Sequence, residues 1–196
     1  MKHTQTITKV YDQYVQAQNA VKELEVAGIA SSEISLLANK SVSERHDGVD
    51  DVSKAGTGAT IGALAGSAAG LMTGLGLLAI PGLGPVVAAG WFATTALGAV
   101  AGGATGGIVG SLVGAGVSED HAHVFSEAVR RGGTLLCVKT SEDQADNVHA
   151  ILDSHEPIDP DRLGTEYRKA GWKAFGPLAA PYEADVIEED RIRRAS

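Results

Sequence analysis

The chain has 196 residues, a formal charge of −8 and a pI near 5.2. That length suits one elaborated domain or two small ones, and the acidity excludes nucleic acid as the main partner, because phosphate binding needs a basic footprint. The single cysteine, Cys137, excludes an intrachain disulfide framework and fits a reducing compartment.

The opening residues, MKHTQTITKV, lack the apolar run of a signal peptide, so no export is expected. TQTITKVY is rich in threonine and β-branched residues, as a half-buried strand is. Asp12 is the expected N-cap of a helix whose apolar face is Val15, Ala17, Val21 and Leu24, with Gly28 at its C-terminal stop. EISLLANK alternates as a second strand, with Ile34, Leu36 and Ala38 on one side. These elements make a first βαβ arm, residues 1–40, followed by a polar linker, 41–54.

From 55 to 118 the composition changes: there is no charged residue, and 18 of the 25 glycines lie here. Gly58, Gly62, Gly66, Gly70 and Gly74 recur every fourth residue, and so do Gly98, Gly102, Gly106, Gly110 and Gly114. Four-residue spacing places each set on nearly one face of a helix. Glycine costs a helix about 1 kcal/mol relative to alanine, and the compensation is close approach of another helix to the bare backbone. The spacing predicts two helices within 55–117, the first over about 57–78, joined by a turn at AIPGLGP that contains Pro81, Gly82, Gly84 and Pro85. Ile61, Leu64, Leu71, Leu75, Ile108 and Leu112 supply apolar bulk that a flexible linker does not need. About 20 residues of helix span a bilayer core of ~30 Å, so the hairpin is expected to insert in a membrane with both arms on the cytoplasmic side. The alternative is a soluble hairpin buried in a homo-oligomer. Trp91 is either an interfacial anchor or an ordinary packed aromatic.

A second arm, 118–163, repeats the scheme after an extra helix. Ser118 with Glu119 and Asp120 starts that helix, Ala122, Phe125, Ala128 and Val129 are its buried stripe, and Gly132-Gly133 stops it. TLLCVKT is the most apolar strand and is expected to be central, with Cys137 buried in it. SEDQ at 141–144 reads as a capping box opening a helix with Ala145, Val148, Ile151 and Leu152 inside. EPIDPDR is a possible edge strand, limited by Pro157 and Pro160. Residues 164–196 form a tail whose aromatics, Tyr167, Trp172, Phe175 and Tyr182, are expected to dock. Two βαβ arms predict an α+β fold: a ferredoxin-like βαβ + αβαβ sandwich interrupted by a glycine-zipper helical hairpin.

Candidate chemistry is sparse. GLGLLA at 74–79 fits G-x-G-x-x-A in letters, yet it lacks the strand before and helix after that a dinucleotide site requires. Lys54 precedes the glycines, so no phosphate-binding loop of the G-x-x-x-x-G-K type exists. His121 and His123, in EDHAH, are two apart on a helix and point in different directions, whereas a helical metal site favours i, i+4. His149 and His155 have no evident partners. No catalytic residue, cofactor or metal site is expected, and the protein is read as a non-enzyme.

Three stretches together carry a resemblance: GTGATIGALAGSAAGLMTGLGLLAIPGLGPVVAAG (56–90), VSEDHAHVFSEAVRRGGTLLCV (117–138) and EYRKAGWKAF (166–175). The chain resembles the bacterial general-stress and low-temperature-induced membrane-protein family, in which a βαβ arm precedes a Gly/Ala hairpin and a helix ending in Arg-Gly-Gly before a strand. IPGLGP followed by RRGG is the more specific part of the match. His121, His123 and the Pro157/Pro160 edge depart from it. The resemblance implies a stress-responsive, membrane-associated protein and carries no catalytic residue across. The expected function is a non-enzymatic stress-response protein, anchored in the bilayer and self-associating through its glycine ladders. The alternative is a soluble homo-oligomeric binding module whose hairpins form a shared core.

Overall fold

The computed structural model describes residues 4–39, 76–80, 83–92, 107–179 and 182. In chain order the elements are β1 (Thr4–Tyr11), α1 (Tyr14–Val26), β2 (Ile34–Asn39), β3 (Gly76–Ile80), β4 (Gly84–Ala89), α2 (Gly107–Gly114), α3 (Glu119–Arg130), β5 (Thr134–Ser141), α4 (Glu142–Ser154) and α5 (Pro160–Lys169). The five strands make one antiparallel sheet in the order β1-β5-β2-β4-β3. The α+β expectation holds.

β5 is an interior strand, as its apolar sequence requires. It pairs with β1 on one side, where Thr8 faces Cys137, and with β2 on the other, where Leu36 faces Leu136. β1 and β2 therefore run parallel to each other with β5 between them, and α1 crosses one face to connect them.

Alternation along the strands feeds two cores. Ile7, Tyr11, Leu36, Val87, Leu136 and Val138 meet α1 and α4 through Val21, Leu24, Val148 and Leu152. Val10, Leu37, Val86, Leu135 and Cys137 meet α2, α3 and α5 on the opposite face through Leu112, Phe125, Val129 and Tyr167. The sheet is thus covered on both sides, and its inner strands are apolar on both faces. Tyr11 ties the first core together, its buried hydroxyl donating to the Leu152 carbonyl at 3.0 Å. Burial raises the Tyr11 pKa, and the nearby Asp153 charge adds to the rise.

The helix boundaries follow their caps. α1 is capped by Gln13 rather than Asp12, with the Gln13 amide donating to Gln16 Oε1 at 3.1 Å. Ser118 caps α3 as expected, accepting from the His121 amide at 3.3 Å. Ser141 precedes α4 without a side-chain cap bond, so the capping box read at SEDQ does not form.

Two expectations are corrected. Residues 76–80 and 84–89, assigned to the ladder helices and their turn, are strands, so no two helices meet at that turn. GLLAI and VVAA are short apolar runs between glycine and proline, and such runs carry no period that separates a buried strand from a buried helix. The turn expected at AIPGLGP does exist, with Leu83 N donating to Ile80 O at 3.0 Å. It joins two strands of the sheet, however, and Gly84 and Pro85 begin β4. Gly58, Gly62, Gly66, Gly70, Gly74, Gly98, Gly102, Gly106, Pro81 and Gly82 lie outside the described residues, as do the 41–54 linker and residues 183–196.

The second correction concerns EPIDPDR. It supplies no strand, only one sheet-like bond from the Ile158 amide to the Val10 carbonyl at 2.8 Å. Pro157 and Pro160 lack the donors a longer ladder needs. The chain instead starts α5, with Asp159 accepting from the Arg162 amide and Pro160 in the first turn. The boundary placed at 163/164 therefore cuts a helix.

Gly90 is where β4 passes against the start of β2. Its φ is +87°, and an added Cβ would lie 2.2 Å from the Ile34 carbonyl oxygen. Gly28 has φ +89° with nothing within 4 Å of such an atom. Gly90→Ala is expected to cost at least about 3 kcal/mol in urea unfolding and Gly28→Ala about 1 kcal/mol. Equal losses at the two positions would contradict the close β2–β4 passage.

Candidate functional site

Of the ten ladder glycines, Gly110 and Gly114 are described. α2 presses Ile108, Ser111 and Leu112 into the second core, and Ser111 Oγ donates to the Gly107 carbonyl at 2.9 Å. Gly110 and Gly114 point the other way: both are exposed, and a Cβ added to either meets none of the described residues within 4 Å. They line an open cleft of about 730 Å³ with Ala115, Gly116, Thr4, Gln5, Thr6, Trp91 and Lys139. At its floor the Lys139 ammonium sits 3.9 Å from the Trp91 ring centroid. The Trp91 indole N–H donates to the Glu33 carbonyl at 3.4 Å, and its ring meets Phe92 edge-on. Trp91 is thus a packed aromatic.

Three of the histidines weighed for chemistry are engaged as fasteners, and His149 is exposed on α4. His121 Nε2 lies 2.9 Å from Asp161 Oδ1. His123 Nδ1 accepts from the Phe175 amide at 3.2 Å. Asp120 hydrogen-bonds Arg168, and that bond holds the Asp120 carboxyl below its ordinary value. The first turn of α3 therefore clips α5 and the segment after it. His155 bridges to Glu23 at 2.8 Å and joins α4 to α1. No group of three or more potential metal ligands occurs among the described residues.

Cys137 is buried between Leu136 and Val138, with Thr8 Oγ1 donating to its sulfur at 3.7 Å. Burial pushes its thiol up to about 12, with the Thr8 bond opposing the rise.

One cluster was not singled out from sequence. Glu127, fully buried on α3, accepts from Arg130 Nε and Nη2 at 2.8 Å each and from Arg131 Nε at 2.7 Å. The two guanidiniums are only 12% and 16% exposed. Arg131 stacks on Tyr167 of α5 at 4.3 Å, and Arg130 on Tyr182 at 4.6 Å. Gly133 then lets the chain enter β5: an added Cβ would lie 2.9 Å from the Ala128 carbonyl oxygen. RRGG is thus a fastening corner, its arginines clamping a carboxylate and holding aromatics, its glycines making the turn. The sequence signal was Glu127 with arginines at i+3 and i+4.

Compared with protein-family models, with curated proteins and with solved structures, the chain matches none.

Two expected outcomes follow from these environments. In the native protein Cys137 should resist a thiol reagent at pH 8 and react only at the global unfolding rate; fast labelling would contradict its burial. Glu127→Gln, which leaves two largely buried guanidiniums short of a counter-charge, should destabilise by about 3 kcal/mol in denaturant unfolding. A loss under about 0.5 kcal/mol, the range of ordinary surface changes, would contradict the clamp.

Proposed function

We propose that this chain is a non-enzymatic stress-response protein that self-associates through its glycine-ladder helices, which form a shared assembly core. The sheet carrying them is proposed to be a ferredoxin-like unit: β1, β5 and β2 supply its split βαβ, α4 its second helix, and the Ile158–Val10 contact the place of its last strand. The stress role rests on the sequence resemblance. The non-enzymatic reading is supported by the use of His121, His123, His155 and Cys137 in packing and fastening.

The observation that carries the assembly reading is the bare side of α2. Gly110 and Gly114 leave a surface with no neighbour among the described residues within reach of a Cβ, beside an open cleft. That is the vacancy another helix would fill.

The shared core is preferred to a transmembrane anchor on a point of topology. Asn39 pairs with Val86, and β3 pairs with β4. Residues 39 and 76 therefore end on one sheet, and any bilayer crossings between them must come in pairs. The uncharged residues 55–75 would reach about 31 Å as a helix, enough for one crossing of a ~30 Å core and not two. No helix among the described residues is long and apolar enough to cross a membrane.

Gly110→Leu and Gly114→Leu test the reading directly. Each should leave the monomer fold intact, because the added side chain enters open space and helix propensity rises by about 0.8 kcal/mol. Each should also reduce the mass of the native assembly in light scattering. Unchanged mass in both variants would overturn ladder-driven association. Recovery of the protein only in detergent would favour the anchor instead.

A further inference from the structure

Among the described residues, only Ile158 bonds to the outer edge of β1. The Val10 carbonyl bonds to the Ile158 amide, so it points away from β5. The β1–β5 register is unbroken from Thr4 to Tyr11. Backbone groups alternate sides along a strand, so the N–H and C=O of Thr4, Thr6 and Thr8 also face outward. Among the described residues nothing bonds to them. Thr4 and Gln5 are exposed, and Thr6 and Thr8 half-buried. Two clefts, of about 540 and 730 Å³, flank this edge on the α2 side and meet at Gly116.

We propose that this edge binds a second copy of the chain, whose own β1 adds antiparallel to it about a twofold axis at Thr6. Thr6 then faces Thr6 of the partner copy, Thr4 faces Thr8, and Gln5 faces Ile7. This register pairs the three outward-facing residues, Thr4, Thr6 and Thr8, and stops where Ile158 bonds the edge beyond Thr8. It joins two five-stranded sheets into one.

Three features favour a second copy over an unrelated peptide. Edge strands are ordinarily guarded by charge, proline or a bulge, and Thr4 to Thr8 has none of these. The nearest charge, Lys9, is neutralised by Asp153 at 2.7 Å. Two copies each carrying −8 repel over most of their surfaces, while this strip brings no charge opposite another. The pairing is also self-complementary, with threonine opposite threonine at three positions, a favourable cross-strand combination.

The interface does not use α2, so it stands or falls separately from the ladder. Thr6→Pro tests it on the full chain. The Thr6 amide faces outward, so proline deletes the central donor of the new ladder and leaves the β1–β5 bonds in place. The variant should still unfold in one cooperative transition, and sedimentation should show about half the wild-type mass.

Thr6→Cys provides the second readout. A hydrogen-bonded antiparallel pair has Cα atoms about 5.5 Å apart, within disulfide reach. Mild oxidation should yield an intermolecular dimer at least about five-fold more abundant than from Gln5→Cys, whose copies are two residues out of register. Buried Cys137 does not compete. If Thr6→Pro fails to fold, the cysteine comparison decides. Equal cross-linking of the two cysteine variants, or an unchanged mass for a folded Thr6→Pro, overturns the proposal. So does an edge that takes up a synthetic extended peptide while no chain–chain cross-link forms. A mass lowered by Gly110→Leu but not by Thr6→Pro would leave the ladder reading standing and remove this one.

Discussion

Every strand of the sheet is positioned, directly or through a neighbour, by β5. Leu135, Leu136, Cys137 and Val138 are each at most 1% exposed, so the strand has no solvent face and must be flanked on both edges and covered on both sides. β1 and β2 occupy the edges, and because both run against β5, α1 has to cross the sheet to link them. α4, which follows β5, then packs beside α1 on that same face. α3, which precedes β5, packs on the other. Burial of one apolar strand thus dictates the split of the first arm and the three-layer arrangement.

The polar groups in this frame hold its layers together. Glu127 with Arg130 and Arg131 joins the end of α3 to α5 and Tyr182. His121, His123 and Asp120 fasten the start of α3 to α5 and to Phe175, and His155 joins α4 to α1. Among the described residues, the exposed Gly110 and Gly114 of α2 and the β1 residues Thr4 to Thr6 line one cleft at the margin of this frame.

Much of both arms was legible in the sequence. β1 and β2 fall where composition and alternation put them, α1 stops before Gly28, and Ser118 and Gly132-Gly133 delimit α3 and open β5. The charge-free stretch was less legible. Glycines at every fourth residue suggested helices throughout, but Val86-Val87 and Leu77-Leu78 sit in runs too short and too uniformly apolar to show a period. α5 had a readable start in Asp159-Pro160, hidden by the strand expected over the same residues. Glu127 was missed because a glutamate on an amphipathic helix ordinarily faces solvent. Only its spacing to the two arginines distinguished it. For the ladder, two of ten glycines can be placed, and both lie on open surface.

The central claim is that the charge-free stretch is tied into the sheet through β4. Amide hydrogen exchange at Val86–Ala89 in the full chain tests it most directly. The β2–β4 pairing predicts that the inward amides of this segment exchange only through the slow opening that exposes Leu135–Val138. Exchange of all four at the rate of an unstructured peptide, with β5 still protected, would contradict it.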